Sequence, residues 1–376
     1  MENHHTQVAE VSTGIKNFFN KVFSRVHIEG PELNAQEIQK SPVMIISTHR
    51  SHVDYFFVGN NLFQMGFKNL RFAAGDNLTK LPWIGPRFRA FGAFTVSRDK
   101  GFERNYVRKL CTDVIKMLEE RDAVLVFPEG GRSYSGSMLE IKGGVLNAAL
   151  LSQAADLTRD VYLLPVAVSY DCPPDVPFFP LLLKGKNYRK KSNNIFKRML
   201  GNIYYFGADI IAFVKFFLAK RLWYSYGSIY MDYQAPISVK SMVDLEANRI
   251  EGARDEFSAH RASLDKVSEQ IHSTFISLYR VLPIHIISAA LKTSGGKAVW
   301  IAELENSGRK FKAGAQKAGQ NCKTLHNLTD AQIAKEGLNQ LRKLKAVRVR
   351  RGKVTVLKEH IVNYFSAAVI SHGENS

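Results

Sequence analysis

The sequence predicts an α/β fold: a mainly parallel central sheet flanked by helices, with an N-terminal amphipathic helix and a mostly helical C-terminal region. Three observations carry this expectation. Short apolar runs at 42–48 (PVMIIST), 123–127 (AVLVF) and 161–169 (VYLLPVAVS) lack polar alternation, as strands buried on both faces do. Segments of helical periodicity separate them, as in a parallel sheet with crossover helices. Hydrophobic residues make up 45% of the 376 residues, enough for one α/β domain and a smaller appendage. The expected division is an N-terminal helix at 1–35, a main domain at 36–240 and a helical region with a basic end at 241–376.

Taken in order, residues 8–26 set Val8, Val11, Ile15, Phe18, Phe19, Val22, Phe23 and Val26 on one helical stripe, with Lys16, Lys21 and Arg25 opposite. Such a stripe either docks on the protein's own core or lies on a membrane surface. Strand 42–48 leads to a helix at 53–65, then strands at 70–74 (LRFAA) and 93–97 (AFTVS). Phe102, Tyr106, Leu110, Val114 and Leu118 recur every fourth residue, marking an amphipathic helix at 102–120. Strand 123–127, helix 144–155 and strand 161–169 follow. Pro165 lies inside the last of these, which suggests an edge or an irregular strand.

Residues 184–198 (KGKNYRKKSNNIFKR) are strongly basic. The run after them, 199–226, is apolar and aromatic but interrupted by Asp209 and Lys215. A membrane-spanning helix needs about 20 nearly uninterrupted apolar residues, so 199–226 reads as an interfacial anchor beside a basic segment. A buried helix with a basic approach loop is the other arrangement the pattern allows. Residues 227–239 read as a strand and turn, 240–280 as mostly helical, and 284–376 as short helices ending in a basic stretch at 341–360.

The net charge is +18, from 52 Lys and Arg against 34 Asp and Glu. That surplus points to an anionic partner: nucleic acid, an anionic membrane or a phosphorylated molecule. Cys111, Cys172 and Cys322 are odd in number and far apart, which excludes a disulfide framework and points to a reducing compartment. The polar opening MENHHTQVAE carries no signal-peptide pattern.

The first motif is THRSHVDYF at 48–56, directly after a strand. His49 and Asp54 stand five residues apart, a spacing that chance supplies about 0.4 times in a chain of this composition. A second such pair, His260 and Asp265, falls inside a helical pattern with no strand before it and reads as a solvated helix face. The strand before His49 makes the difference, because the carboxyl ends of parallel strands are where such sheets carry their sites. There His49 would act as a general base toward a substrate hydroxyl, with Asp54 fixing its tautomer. Two residues capping a helix would give the same letters. His49 and His52 also have a spacing that metal ligands use, but no third ligand pattern supports a metal.

The second motif is FPEGGRSYSG at 127–136, again directly after a strand. Gly130 and Gly131 leave backbone N–H groups free to approach an anion. Arg132 suits two-point phosphate contact, and Glu129 would orient Arg132 or brace the His49 loop. The motif is neither a serine nucleophile elbow, since Ser135 stands where glycine is needed, nor a P-loop. Arg98, ending strand 93–97, and Lys142, following the glycine turn, would add positive charge.

In this order the segments resemble the glycerolipid acyltransferase family. STHRSHVDY resembles its HxxxxD block, AAGDNLTKLPWIGPRFRAFGAFTVSR its second block, FPEGGRSYSG its Glu-Gly block and LLPVAVSYD its fourth. The resemblance spans roughly 42–240. It implies an acyl tunnel, His49 as general base, Asp54 as its partner, and Arg98, Glu129, Gly130 and Arg132 around a glycerol phosphate. The implied reaction moves a fatty acyl group from acyl-CoA or acyl carrier protein to glycerol 3-phosphate, with no metal or other cofactor. Glu-Gly-Gly-Arg-Ser, AAGDNL, the Lys142 context and SLYRVLPIHIISAAL at 277–291 resemble the glycerol-3-phosphate branch. Phe127-Pro128 resembles the lysophosphatidate branch, which more often has Thr where Gly131 stands. Ser97 departs from the Arg usual in the glycerol-3-phosphate branch, and the chain is much shorter than that branch's large bacterial members. The expected location is the cytoplasmic face of an anionic membrane, peripheral or monotopic. A different class of reading takes 329–360 as helix, helix and basic hairpin, a winged-helix-like nucleic-acid binder; it leaves the four blocks unexplained, so nucleic acid is not an expected partner.

Overall fold

The computed structural model describes residues 2–75, 92–97, 103–184, 201, 207–209, 211–212, 214–219 and 225–370, with backbone alone for 2–9. Seven strands form the main path of the central sheet, in the order β1-β7-β6-β2-β5-β3-β4, and a short β8 also pairs with β6. They are β1 (Arg25–Glu29), β2 (Val43–Ser47), β3 (Leu70–Gly75), β4 (Ala93–Val96), β5 (Ala123–Val126), β6 (Tyr162–Tyr170), β7 (Ser228–Tyr233) and β8 (Ile237–Ser238). The neighbours from β6 through β4 are parallel, as are β1 and β7, while β7 and β8 run antiparallel to β6. The expected mixed α/β architecture with a mostly parallel sheet is therefore the observed one.

Every residue of β2 and β5 is buried. Successive residues alternate between two cores. Val43, Ile45, Ala123 and Leu125 face one, and Met44, Ile46, Val124 and Val126 the other. Helix α1 (Glu2–Val22) and α2 (Asp54–Gln64) cover the first face, and α3 (Arg104–Glu119) and α4 (Gly143–Ala155) the second. A strand with both faces covered has no place for a polar alternation, which is why these strands read as unbroken apolar runs.

The later part of the N-terminal stripe, from Ile15 to Phe23, docks on the protein's own core, while Val11 is exposed. Phe19, Val22 and Phe23 are buried, and Phe19 stacks on Phe57 with centroids 5.2 Å apart. The helix ends at Val22, so Val26 belongs to β1 and to the sheet rather than to the helical stripe.

Pro165 lies in a central strand, so of the two arrangements expected for it the irregular strand, not the edge, is the one observed. β6 sits between β2 and β7, with Pro165 opposite Ile46 on the β2 side. On its other side the partner changes, from β7, which ends at Tyr233, to β8, which begins at Ile237. The Pro165 carbonyl accepts from Gln234 N at 3.4 Å at this break. The missing N–H thus falls where the ladder is interrupted, which removes the usual penalty.

Residues 240–280 are less helical than expected: Val239–Met242, Glu256–Ala259 and α5 (Arg261–Leu278) are joined by turns. The C-terminal region then contributes α6 (Pro283–Lys292), β9 (Val299–Trp300), α7 (Ile301–Lys317), α8 (Asp330–Lys343), β10 (Val347–Arg350), β11 (Lys353–Val356) and α9 (Glu359–Ser366). The three strands form an antiparallel sheet in the order β10-β11-β9. Between 329 and 360 there is one long helix and the hairpin, and the second helix expected there lies earlier, at 301–317. Parts of 199–226 are described: turns at 207–209, 211–212 and 214–218 are helical, with Ala208, Ala212 and Phe216 inward. Most of the basic run at 184–198 lies outside the described residues.

Buried polar contacts bind the C-terminal region to the sheet. Arg280 pairs with Asp232 of β7 and with Glu29 of β1, the latter at 2.9 Å, and its N–H donates to Ser169 Oγ of β6 at 2.9 Å. Gly136, in the loop after β5, has φ +86°, and a Cβ there would overlap the carbonyl oxygen of Tyr364 in α9. Gly136→Ala is expected to lower stability by about 1–3 kcal/mol from the backbone conformation alone, with the overlap added, read as a fall in the urea unfolding midpoint.

Candidate functional site

β2 lies near the middle of the sheet. The chain passes from it to β3 and β4 on one side, returns through β5, and crosses to β6 on the other. The crevice at such a reversal is where open α/β sheets bind their ligands. Here the loops after β2 and β5 meet. Ser133 N donates to His49 O at 3.1 Å, and Thr48 joins β6 by donating to Val166 O at 3.1 Å and accepting from Val168 N at 2.9 Å.

The loop of residues 49–54 wraps around one carboxylate. Asp54 Oδ2 accepts from Arg50 N at 2.7 Å, Ser51 N at 2.8 Å and His49 Nδ1 at 2.9 Å. Its Oδ1 accepts from the hydroxyl of Tyr170 at the end of β6. Burial first, then the Asp54 charge, pushes the Tyr170 phenol well above its ordinary value, so it stays a donor. A carboxylate only accepts, which puts the proton of neutral His49 on Nδ1 and a lone pair on Nε2. Nε2 lies 3.4 Å from Tyr55 Oη, and the imidazole stacks on Phe127 with centroids 4.3 Å apart. His49 and Asp54 are both buried.

Glu129 braces the His49 loop, the second of the two roles its sequence position suggested. Its Oε1 accepts from His49 N at 3.0 Å; its Oε2 accepts from Arg50 Nη1 at 3.0 Å and Leu139 N at 3.2 Å. Burial works against the Arg50 charge, but Glu129 outweighs it and the guanidinium is held charged above its ordinary range. Arg50 also lies over the Tyr279 ring, 5.0 Å from its centroid.

Gly130 adopts φ +70°, and a Cβ there would meet the side chain of Lys142, with Nζ at 3.1 Å. Lys142 is exposed, and its backbone N–H donates to Pro128 O at 2.7 Å. Gly131 has open space beside it. Arg132 is buried, with Nη1 2.5 Å from Asp175 Oδ2 and Nη2 2.6 Å from Asp209 Oδ1. His49, Asp54, Glu129, Gly130, Gly131, Arg132 and Lys142 thus come together in two touching loops. Arg98 lies outside the described residues.

The sequence reading missed Asp175, which ties the two loops together. It accepts from Ser51 Oγ at 2.7 Å and His52 N at 3.0 Å, lies 2.7 Å from His52 Nδ1, and pairs with Arg132. Burial would raise its carboxyl, but His52 and Arg132 hold it well below the usual carboxylate range. The one local signal was an acid between Pro174 and Val176 in an otherwise apolar turn. Tyr170, Arg50 and Tyr55 were missed as well. At the decoy pair, Asp265 is exposed and pairs with Arg261 at 3.1 Å, as a solvated face predicts. His260 is instead buried, 3.4 Å from Glu256, because it caps the junction of two helices.

Comparison with known proteins adds two matches that together cover most of the chain. Residues 25–169 match the family model described as Acyltransferase, and residues 213–367 the model described as Glycerol-3-phosphate acyltransferase C-terminal region. A glycerol-3-phosphate acyltransferase of Actinobacillus pleuropneumoniae is 24% identical over 285 residues, 75% of this chain and 32% of the relative. One of Shewanella pealeana is 33% identical over 175 residues, 46% of this chain and 22% of the relative. One of Shewanella baltica is 32% identical over the same length. The chain spans less than a third of the length of these relatives.

Asp175 gives the site an acid-sensitive clamp. Its folded carboxyl sits below its unfolded value of about 4, so its contribution is present above about pH 4 and lost as pH falls below that. Asp175→Asn is expected to be less stable than the parent at neutral pH, with the gap in urea midpoint narrowing as pH is lowered from about 5 toward 2. A gap independent of pH would show that the charge contributes nothing.

Proposed function

We propose that this chain, which belongs to the glycerolipid acyltransferase family, transfers a fatty acyl group from a thioester donor to a hydroxyl of glycerol 3-phosphate, with His49 as general base. The observation that carries this reading is the Asp54 carboxylate, which fixes the His49 proton on Nδ1 and turns the Nε2 lone pair away from itself, beside a loop holding Gly130, Arg132 and Lys142.

In the proposed reaction, the acceptor hydroxyl oxygen attacks the thioester carbonyl carbon while its proton passes to His49 Nε2. The tetrahedral intermediate collapses, the C–S bond breaks, and the leaving thiolate takes the proton back from the imidazolium. Asp54 stabilises that imidazolium, as the carboxylate of a catalytic triad does. The thioester is already electrophilic, so positioning and charge screening supply the remainder. Arg132 and Lys142 are the cations assigned to the phosphate. Acyl-CoA or acyl carrier protein would be the donor, and no other cofactor enters.

The chain would work at a lipid surface. Ile211, Val214, Phe217 and Leu218 present 43–48% of their surface to solvent, and Leu181 and Leu183 are similarly open. The sequence between these groups, 184–198, carries seven cations. An apolar face beside a basic segment suits peripheral attachment to anionic lipid. No helix among the described residues is long and apolar enough to cross a membrane.

Thiol release from palmitoyl-CoA in the presence of glycerol 3-phosphate tests the reading. Turnover is expected, falling about 10²–10⁴-fold in His49→Ala. Equal rates in the two proteins would remove His49 from the mechanism. A preference for lysophosphatidate, which Phe127-Pro128 favours, would move the acceptor to that branch. Steeply salt-dependent DNA binding without thiol release would replace the enzyme reading with a nucleic-acid one.

A further inference from the structure

Arg132 is assigned to the acceptor phosphate, yet its guanidinium already faces two carboxylates. Nη1 pairs with Asp175 at 2.5 Å, and Nη2 pairs with Asp209 at 2.6 Å while also donating to Tyr134 Oη at 3.3 Å. Both ends of the guanidinium are thus already taken by a carboxylate. A phosphate monoester, itself about −1.5 to −2 near neutral pH, would be repelled there unless one carboxylate left.

The two carboxylates are unequal. The Asp175 side chain is fully buried and held by Ser51 and His52 as well as by Arg132. Removing it would undo the loop that carries His49. Asp209 is partly open to solvent, with 14% of its side chain exposed, and Arg132 is its one ion-pair partner among the described residues. It also sits on the stretch whose outward residues, Ile211, Val214, Phe217 and Leu218, are apolar and exposed. Among the described residues, the Arg132 guanidinium alone anchors its charge.

We propose that Asp209 occupies the seat of the acceptor phosphate on Arg132, and that the acceptor enters by exchanging its phosphate for this carboxylate while Asp175 stays in place. Asp209 is then a positioning residue that sets specificity. It keeps Arg132 charged and oriented in the empty site. It admits a ligand that offers more negative charge and more acceptor oxygens than a carboxylate, and resists a neutral polyol. Lys142, beside Gly130, is the second cation the incoming phosphate would meet. The acceptor's apparent affinity is lowered by the fraction of molecules in which Asp209 still holds the seat. The inference rests on the reading of Arg132 as the phosphate-binding residue.

The test compares wild type, Asp209→Asn, Asp209→Glu and Arg132→Gln, all as the full chain. Inorganic phosphate is used in thermal-shift titrations and glycerol 3-phosphate in steady-state thiol release. Asp209→Asn is expected to bind inorganic phosphate more tightly than wild type and to lower KM for glycerol 3-phosphate by about 3- to 10-fold, a larger change than any in kcat. Asp209→Glu should return both quantities toward wild type. Unchanged or weaker phosphate binding in Asp209→Asn, with unchanged or raised KM, overturns the proposal while leaving Arg132 as the phosphate site. Should the Asn variant not fold, Asp209→Ala is read by the same criteria. If Arg132→Gln leaves both phosphate binding and KM unaltered, the phosphate does not sit on Arg132, and the underlying reading fails together with the inference.

Discussion

The Asp54 carboxylate is the contact on which the site depends. It receives four donors: two backbone N–H groups of its own loop, the imidazole of His49 and the phenol of Tyr170. A carboxylate this deeply buried is costly unless its lone pairs are filled, and hydrogen bonds to charged groups contribute about 1.5–3 kcal/mol each. The donors come from the end of β2, the following loop and the end of β6. The loop therefore cannot close unless β2 and β6 are in register, with Ser47 opposite Val166. The same contact that completes the sheet's upper rim sets the tautomer of the histidine. Fold and chemistry share one constraint here.

Two further buried acids extend that logic. Glu129 ties the β5 loop to the backbone of His49 and to Arg50, and Asp175 ties the turn after β6 to Ser51, His52 and Arg132. Each acid draws donors from a loop other than its own. Ion pairs of this kind contribute little net stability over well-packed apolar groups, but breaking one side of such a pair is costly. Their effect is to make wrong loop arrangements expensive, so the Glu-Gly turn and the His49 loop hold one mutual geometry. The C-terminal region presses on the same assembly, through the Tyr279 ring over Arg50 and the Tyr364 carbonyl against Gly136.

The sheet was legible because burial on both faces leaves a local signature: β5 has no polar residue and β2 only Ser47, at its very end. His49, Asp54, Glu129 and Arg132 were legible because each follows such a strand within a few residues. Partners distant in sequence were not. Asp175 lies 124 residues from Ser51 and Tyr170 lies 116 from Asp54, and nothing local marks either as part of the site. Pro165 was legible only as a choice between an edge and an irregular strand, for a related reason. Its compatibility with a central strand depends on where β7 stops and β8 begins, a property of two other segments. His260 looked solvated because the helical pattern around it gave no sign that one helix would end and another begin at this residue.

The distribution of charge bears on what the surplus of cations does. Inside the site the charges nearly cancel: Arg50 faces Glu129, and Arg132 faces both Asp175 and Asp209. The surplus of +18 is therefore carried elsewhere. Part of it is the exposed set Arg342, Lys343, Lys345, Arg348, Arg350, Arg351 and Lys353, at the end of α8 and along the β10–β11 hairpin. Exposed cations spread over a surface act on an extended anion through a screened, long-range field. Buried and already paired ones act on a small anion only by exchanging partners. On the proposed reading, long-range attraction and local selection would reside in different parts of the molecule, and a change in ionic strength would act on the first far more than on the second.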